Sequence, residues 1–215
     1  MVPLKDKNVL LLPVTDGGVT QPFNMPGFPT YDKTKAQHNG LDIGWCTNQH
    51  CHILACQDGK VVDLLINNSS CGNGVVLQHD YPDGTHRWTA YIHLKSAPCD
   101  ANGKALKKGD VIAQGNVIGI RGGSPYVNGK QKYGTHLHLY VTKDTNKAYT
   151  WNTMKANVVD PYPLLYRSKG IDYNWINSSL KALPFIEDFT DEVAILKKQV
   201  EELQAKLDNI RAIIL

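Results

Sequence analysis

Two of the eight histidines, His136 and His138, stand two apart in Gly134-Thr135-His136-Leu137-His138-Leu139-Tyr140-Val141. Alternate residues of a strand share a face, about 6 to 7 Å apart along the backbone, so the two imidazoles project side by side. One ring could bind a metal while the other works beside it, and the same pattern fits two histidines on a polar sheet face. A second pair, His38 and Asp42, is four apart in Gln37-His38-Asn39-Gly40-Leu41-Asp42-Ile43-Gly44. Imidazole nitrogen and carboxylate oxygen both suit zinc. The stretch also fits a turn in which Asp42 caps backbone amides. It is too rich in glycine for a stable helix, so a turn running into a strand is expected.

The elements that must hold these groups read as strands. Gly59 to Ile66 follows an Asp-Gly turn, Gly74 to His79 follows a polar Asn-Asn-Ser-Ser stretch, and Pro82-Asp83-Gly84 turns the chain into Trp88 to Leu94. Asp110 to Ala113, Val117 to Ile120 and Thr135 to Val141 continue the pattern. Strands this short and frequent, with no amphipathic helix before residue 170, predict an all-β fold, a small antiparallel sandwich or open barrel. His79 and His86 flank the Pro-Asp-Gly turn and are expected to face solvent.

Composition changes near residues 170 to 188, because no glycine follows Gly170 and no proline follows Pro184. Domains are therefore expected at 1–168, with a linker at 169–188 and a helix at 189–215. In that last segment Val193, Leu196, Val200, Leu203, Leu207, Ile210 and Ile214 alternate spacings of three and four. This heptad seam predicts a coiled coil and a homo-oligomer, a dimer through 189–215. The formal net charge of +3 divides into +5 on residues 1–187 and −2 on residues 188–215. No basic cluster is long enough to suggest nucleic acid. The longest N-terminal apolar run, Val9 to Val14, is far too short to span a bilayer or to serve as an export signal.

H-x3-D followed about a hundred residues later by H-x-H on a strand resembles the lysostaphin-type zinc endopeptidases, which cut peptide bonds in bacterial peptidoglycan. Other stretches carry the likeness too. They are Val19 to Phe23, the Ala55 to Val62 step with its Asp-Gly, Tyr91-Ile92-His93-Leu94, the Lys108 to Gly119 hairpin and Val159-Asp160-Pro161. The resemblance spans about residues 15 to 166. It implies the duplicated hybrid motif-like β-fold, with His38, Asp42 and His138 as ligands of Zn2+. Three protein ligands leave a fourth position open, as in catalytic rather than structural zinc sites. It further implies His93 and His136 as catalytic histidines that do not bind the metal, and Tyr31 as a hydrogen-bond donor to the oxyanion.

Peptidoglycan is the implied partner, and a phage endolysin or virion-associated lysin made in the host cytoplasm is the implied source, given the missing export signal. The alternative is a degenerate, non-catalytic wall-binding or virion structural protein of the same fold. Two loops depart from the family pattern, 45–53 and 121–133, and both are expected to wall the substrate groove. The first carries Cys46 and Cys51 with His50 and His52 between them. It lacks the C-x2-C form of a zinc knuckle, so its histidines read as polar loop residues. The five cysteines are expected to be reduced thiols.

Overall fold

Period-2 alternation builds the central sheet and decides which side chains meet. The computed structural model describes residues 9–24, 38–46, 51–173, 175–186 and 204. In chain order the strands are β1 (Leu10–Leu11), β2 (Asp16–Gln21), β3 (Leu41–Gly44), β4 (His52–Leu54), β5 (Gly59–Asn68), β6 (Gly72–Asp80), β7 (His86–Leu94), β8 (Val111–Ile112) and β9 (Val117–Ile120). There follow β10 (Tyr126–Val127), β11 (Lys130–Gln131), β12 (His136–Thr142), the short helix α1 (Trp151–Lys155), β13 (Val158–Val159), β14 (Leu165–Ser168), β15 (Trp175–Ile176), the helix α2 (Ser178–Lys181) and β16 (Phe185–Ile186). The main sheet has nine strands in the order β15-β2-β3-β12-β7-β6-β5-β8, with β13 added beside β12. It is open, ending in β15 at one edge and β8 at the other, so the all-β expectation holds as a sheet rather than a closed barrel. Most pairs are antiparallel, but β15 with β2, β1 with β14 and β14 with β16 run parallel.

Each central strand sends alternate residues to opposite faces. Leu41, Ile43, Val75, Leu77, Tyr91, Leu137, Leu139 and Val141 belong to the larger core on one side. Val76, Trp88, Ala90, Ile92, Tyr140 and Met154 form a smaller cluster on the other, where α1 supplies Met154. On β3 and β12 this alternation places Asp42, His136 and His138 opposite the larger core. The ring of Tyr140 lies 4.4 Å from that of His138 and 6.0 Å from that of Trp151, so the small cluster runs straight into the histidines.

Part of the stretch expected to be a linker is packed on this domain. Ile176, Leu180 and Leu183 are buried in the larger core, and β15 and β16 add strands to sheets. The composition break near residue 170 therefore precedes the point where packing stops. The heptad seam of 189–215 lies outside the described residues, apart from Gln204. Among the described residues no helix is long and apolar enough to cross a membrane.

His79 corrects the expectation of a solvated turn histidine. It is fully buried, with Nδ1 donating to the Asp58 carbonyl at 2.8 Å and Nε2 paired with the Thr89 hydroxyl at 2.8 Å. Two good partners remove the penalty that burying an imidazole otherwise carries. His86, also expected in solvent, is partly buried and donates from Nε2 to the Lys147 carbonyl at 2.8 Å. The cysteine expectation fails at two positions, because Cys46 and Cys51 are joined by a disulfide with Cα atoms 5.8 Å apart. Cys56, Cys71 and Cys99 keep free thiols, and burial pushes the Cys56 thiol up to about 12.

A buried ion pair ties the strand ends together. The Arg121 guanidinium pairs with Asp16 and also donates to the carbonyls of Ile43 at 3.4 Å and Gly44 at 3.3 Å. Burying an ion is unfavourable unless it is paired and its donors are used, so this arrangement fixes geometry more than it adds stability. β2 and β3 approach so closely that a Cβ on Gly17, whose φ is +94°, would lie 2.1 Å from the Gly44 oxygen.

Candidate active site

Cross-strand register brings the first set together. On β12 and β3, His138 sits opposite Asp42 and His136 opposite Gly44. His138 Nδ1 lies 2.8 Å from Asp42 Oδ1, and His38 Nε2 lies 3.3 Å from the same oxygen and 3.1 Å from His138 Nδ1. His38 reaches the site from the segment just before β3, where its Nδ1 donates to the Pro22 carbonyl at 2.9 Å. That bond fixes the ring and turns the Nε2 lone pair toward the other two groups, as backbone carbonyls commonly do for histidines that bind metals.

Three electron-pair donors thus crowd one point, all buried. Asp42 Oδ1 and His138 Nε2 are buried without a hydrogen-bond partner. An unsatisfied buried carboxylate oxygen is costly, and a cation held among these atoms would satisfy it. The two-imidazole, one-carboxylate set suits zinc in hardness and number. Gly40 makes the packing possible. A Cβ there would lie 2.3 Å from His138 Nε2, so any side chain between His38 and Asp42 at that position would displace the ring.

Electrostatics follow the same geometry. Burial would push the Asp42 carboxyl up, but contacts to His138 and His38 and the surrounding imidazole charge hold it well below the usual carboxylate range. Burial also opposes protonation of His38, yet Asp42 and the Pro22 carbonyl raise its pKa above the ordinary value. Burial dominates at His138 and lowers it, against the pull of Asp42. A proton and a metal ion compete for the same lone pairs, so binding at this trio is coupled to proton release.

Two more histidines stand alongside. His136 donates from Nδ1 to the Gly134 carbonyl at 2.7 Å, and its Nε2 is 3.8 Å from Asp42 Oδ2. His93 lies at an irregularity near the end of β7, beside Ile92, which pairs with His138. Its φ of +65° is rare for a residue with a side chain, and the ring centroid sits 4.8 Å from that of His136 and 6.0 Å from that of His138. Nonglycine residues in that region are strained and collect at functional sites. His93 Nδ1 donates to the Ser124 carbonyl at 2.6 Å, while Ser124 Oγ accepts from the Asn73 amide at 2.8 Å, so one buried serine braces both sides of the irregularity.

Burial first, and then the neighbouring His136 charge, push His93 down to about 3 from an ordinary 6.5, against the opposing Ser124 carbonyl. Between those values the unfolded chain binds a proton that the folded chain refuses. Stability is therefore full above about pH 6.5 and falls as pH drops toward 3, with His93 contributing at most about 1.4 kcal/mol per pH unit. Thermal melts of the metal-free protein across this range should show the loss, and His93→Gln should flatten it. An unchanged slope in the variant would show that other groups carry the acid sensitivity.

These histidines line a cleft of about 520 Å³. Thr20, Gln21, Trp45 and Cys46 lie along it, as do Tyr133, Gly134 and Thr135. The two loops that depart from the family pattern thus reach the groove through Trp45, Cys46 and Tyr133, whose ring packs 4.7 Å from that of His93. Tyr31 and His50 lie outside the described residues, and His52 sits on β4 away from the cleft lining. Sequence reasoning did not single out Gly40, Ser124 or Arg121. Only Gly40 carries a local signal, a glycine between two polar residues that must converge.

The sequence profile of Peptidase family M23 matches residues 36–150. The chain is 23% identical to the catalytic domain of the antimicrobial peptidase lysostaphin from Staphylococcus simulans, covering 68% of this chain and 90% of that one with a TM-score of 0.47. It is 20% identical to a chain in the structure of the SpoIIQ-SpoIIIAH pore forming complex, covering 73% of this chain and 90% of that one with a TM-score of 0.51. No curated protein sequence matches significantly.

Proposed function

Because the chain belongs to peptidase family M23, we propose that it is a zinc-dependent endopeptidase that hydrolyses peptide bonds in bacterial peptidoglycan. The observation that carries this reading is the convergence of His38 Nε2, Asp42 Oδ1 and His138 Nδ1 on one buried point, with the Asp42 oxygen unsatisfied. These three atoms would hold the metal. When bound, zinc supplies a Lewis acid that polarises the scissile carbonyl and acidifies the attacking water.

The protein's own groups then move the proton and hold the substrate. His93 stays neutral at neutral pH, and with Nδ1 committed to the Ser124 carbonyl its proton-accepting atom is Nε2. His136 is likewise oriented by Gly134, so its Nε2 faces Asp42 and the cleft. One of these rings accepts the proton of the attacking water and returns it to the leaving amine. The other donates to the oxygen that gains charge on the scissile carbon. Orientation by backbone carbonyls keeps both rings in the required tautomer before substrate arrives.

A non-catalytic relative would be expected to have lost one of these five side chains, and none is lost here. The test is release of peptides from purified sacculi, read by mass spectrometry of the soluble products. Activity should vanish on chelation and return on adding zinc. Release that persists in the stripped protein would refute the metal mechanism, and no release by the zinc-loaded protein from any sacculus type would favour the non-catalytic reading.

A further inference from the structure

Trp45 is an anomaly that the metal site does not use. It follows the last residue of β3, it is 59% exposed at the cleft, and its φ is +60°. A bulky side chain is unfavourable in the left-handed region, and a large aromatic left in solvent gains nothing from burial. The backbone strain persists only where neighbouring structure enforces it.

The enforcement is visible on both sides of the residue. Before it, the Gly44 carbonyl accepts from the Arg121 guanidinium at 3.3 Å. After it, Cys46 is bridged to Cys51, whose carbonyl accepts from the Arg121 backbone amide at 2.7 Å. One buried arginine therefore anchors both the strand end and the far end of the disulfide, and Trp45 is held between them. Tyr133 lines the same cleft, and its amide donates to the Gly123 carbonyl at 3.1 Å. His93 and His136, which also line the cleft, pack beside the Tyr133 ring.

We infer that Trp45 is a substrate-binding residue, a rigid aromatic wall that packs against the peptide chain of the substrate, and that the Cys46–Cys51 bridge positions it. The inference rests on the peptidoglycan reading and deepens it, by placing substrate affinity on a stapled loop separate from the metal ligands. Aromatic side chains supply large contact area with few rotatable bonds, which suits an extended peptide lying across a groove.

The probe is a set of soluble peptidoglycan fragments obtained by cutting the glycan strands of sacculi, with kinetics and zinc content measured on the same preparations. Trp45→Ala should raise KM roughly tenfold with kcat within about twofold and one zinc per chain retained, as for loss of a buried aromatic anchor. Trp45→Phe should recover most of the affinity. The double variant Cys46→Ser with Cys51→Ser should raise KM in the same direction with Trp45 intact. An unchanged KM in Trp45→Ala, or a change that tracks lost zinc, overturns the binding role. A double variant with native KM overturns the role of the bridge. A wild-type protein that neither cleaves nor binds the fragments would remove the peptidoglycan reading itself, whereas one that cleaves them with Trp45→Ala at native KM removes this inference alone.

Discussion

Asp42→Ala is expected to lose bound zinc and to lower peptide release at least about a thousandfold. The carboxylate faces three of the four histidines, lying 2.8 Å from His138 Nδ1, 3.3 Å from His38 Nε2 and 3.8 Å from His136 Nε2. Its removal takes away one of the three proposed ligands and, among the described residues, the one carboxylate of that group. It also leaves two imidazole nitrogens 3.1 Å apart with nothing between them to favour their approach. Metal content by plasma mass spectrometry should fall from one per chain to near zero. Asp42→Asn keeps shape and one oxygen while removing charge, so it should fall between the two. A variant that retained equimolar zinc would show that the ion sits elsewhere.

His93→Ala and His136→Ala should do the opposite, keeping zinc near one per chain while kcat falls by about 10² to 10⁴, the range for a positioned acid or base. Neither ring is among the three atoms that meet at the buried point, and each has one nitrogen committed to a backbone carbonyl. KM should move far less than kcat, because these groups act on charge that develops after binding. Loss of zinc in either variant would reassign that histidine to the metal. Equal activity in both variants and wild type would move the proton transfer to groups that the geometry does not suggest.

What the sequence could declare was local. The alternation of Leu137, Leu139 and Val141 with His136 and His138 states which face of β12 is core and which carries chemistry, and the structure keeps that division. The Asp-Gly and Pro-Asp-Gly turns likewise mark strand ends. What could not be read depended on distant partners. Arg121 and Asp16 are 105 residues apart, and nothing in either neighbourhood announces their pairing. His79 looked like a turn residue because its partners, Asp58 and Thr89, lie on other segments. The packing of Ile176, Leu180 and Leu183 was hidden because that segment is short and its composition resembles a connector. The left-handed backbone of His93 has no signature either, since it comes from an irregular pairing with β6 that sequence spacing does not encode.

The Arg121 tether also bears on how the molecule fluctuates. A loop held by its own contacts opens alone, and its amides exchange with solvent at low free energy. Here the guanidinium and amide of one residue join the start of β2, the end of β3 and Cys51. These three points, two on the strands and one at the disulfide, thus belong to one cooperative unit. Hydrogen exchange at the Arg121 amide should be as slow as in the sheet, and it would be faster in Arg121→Ala.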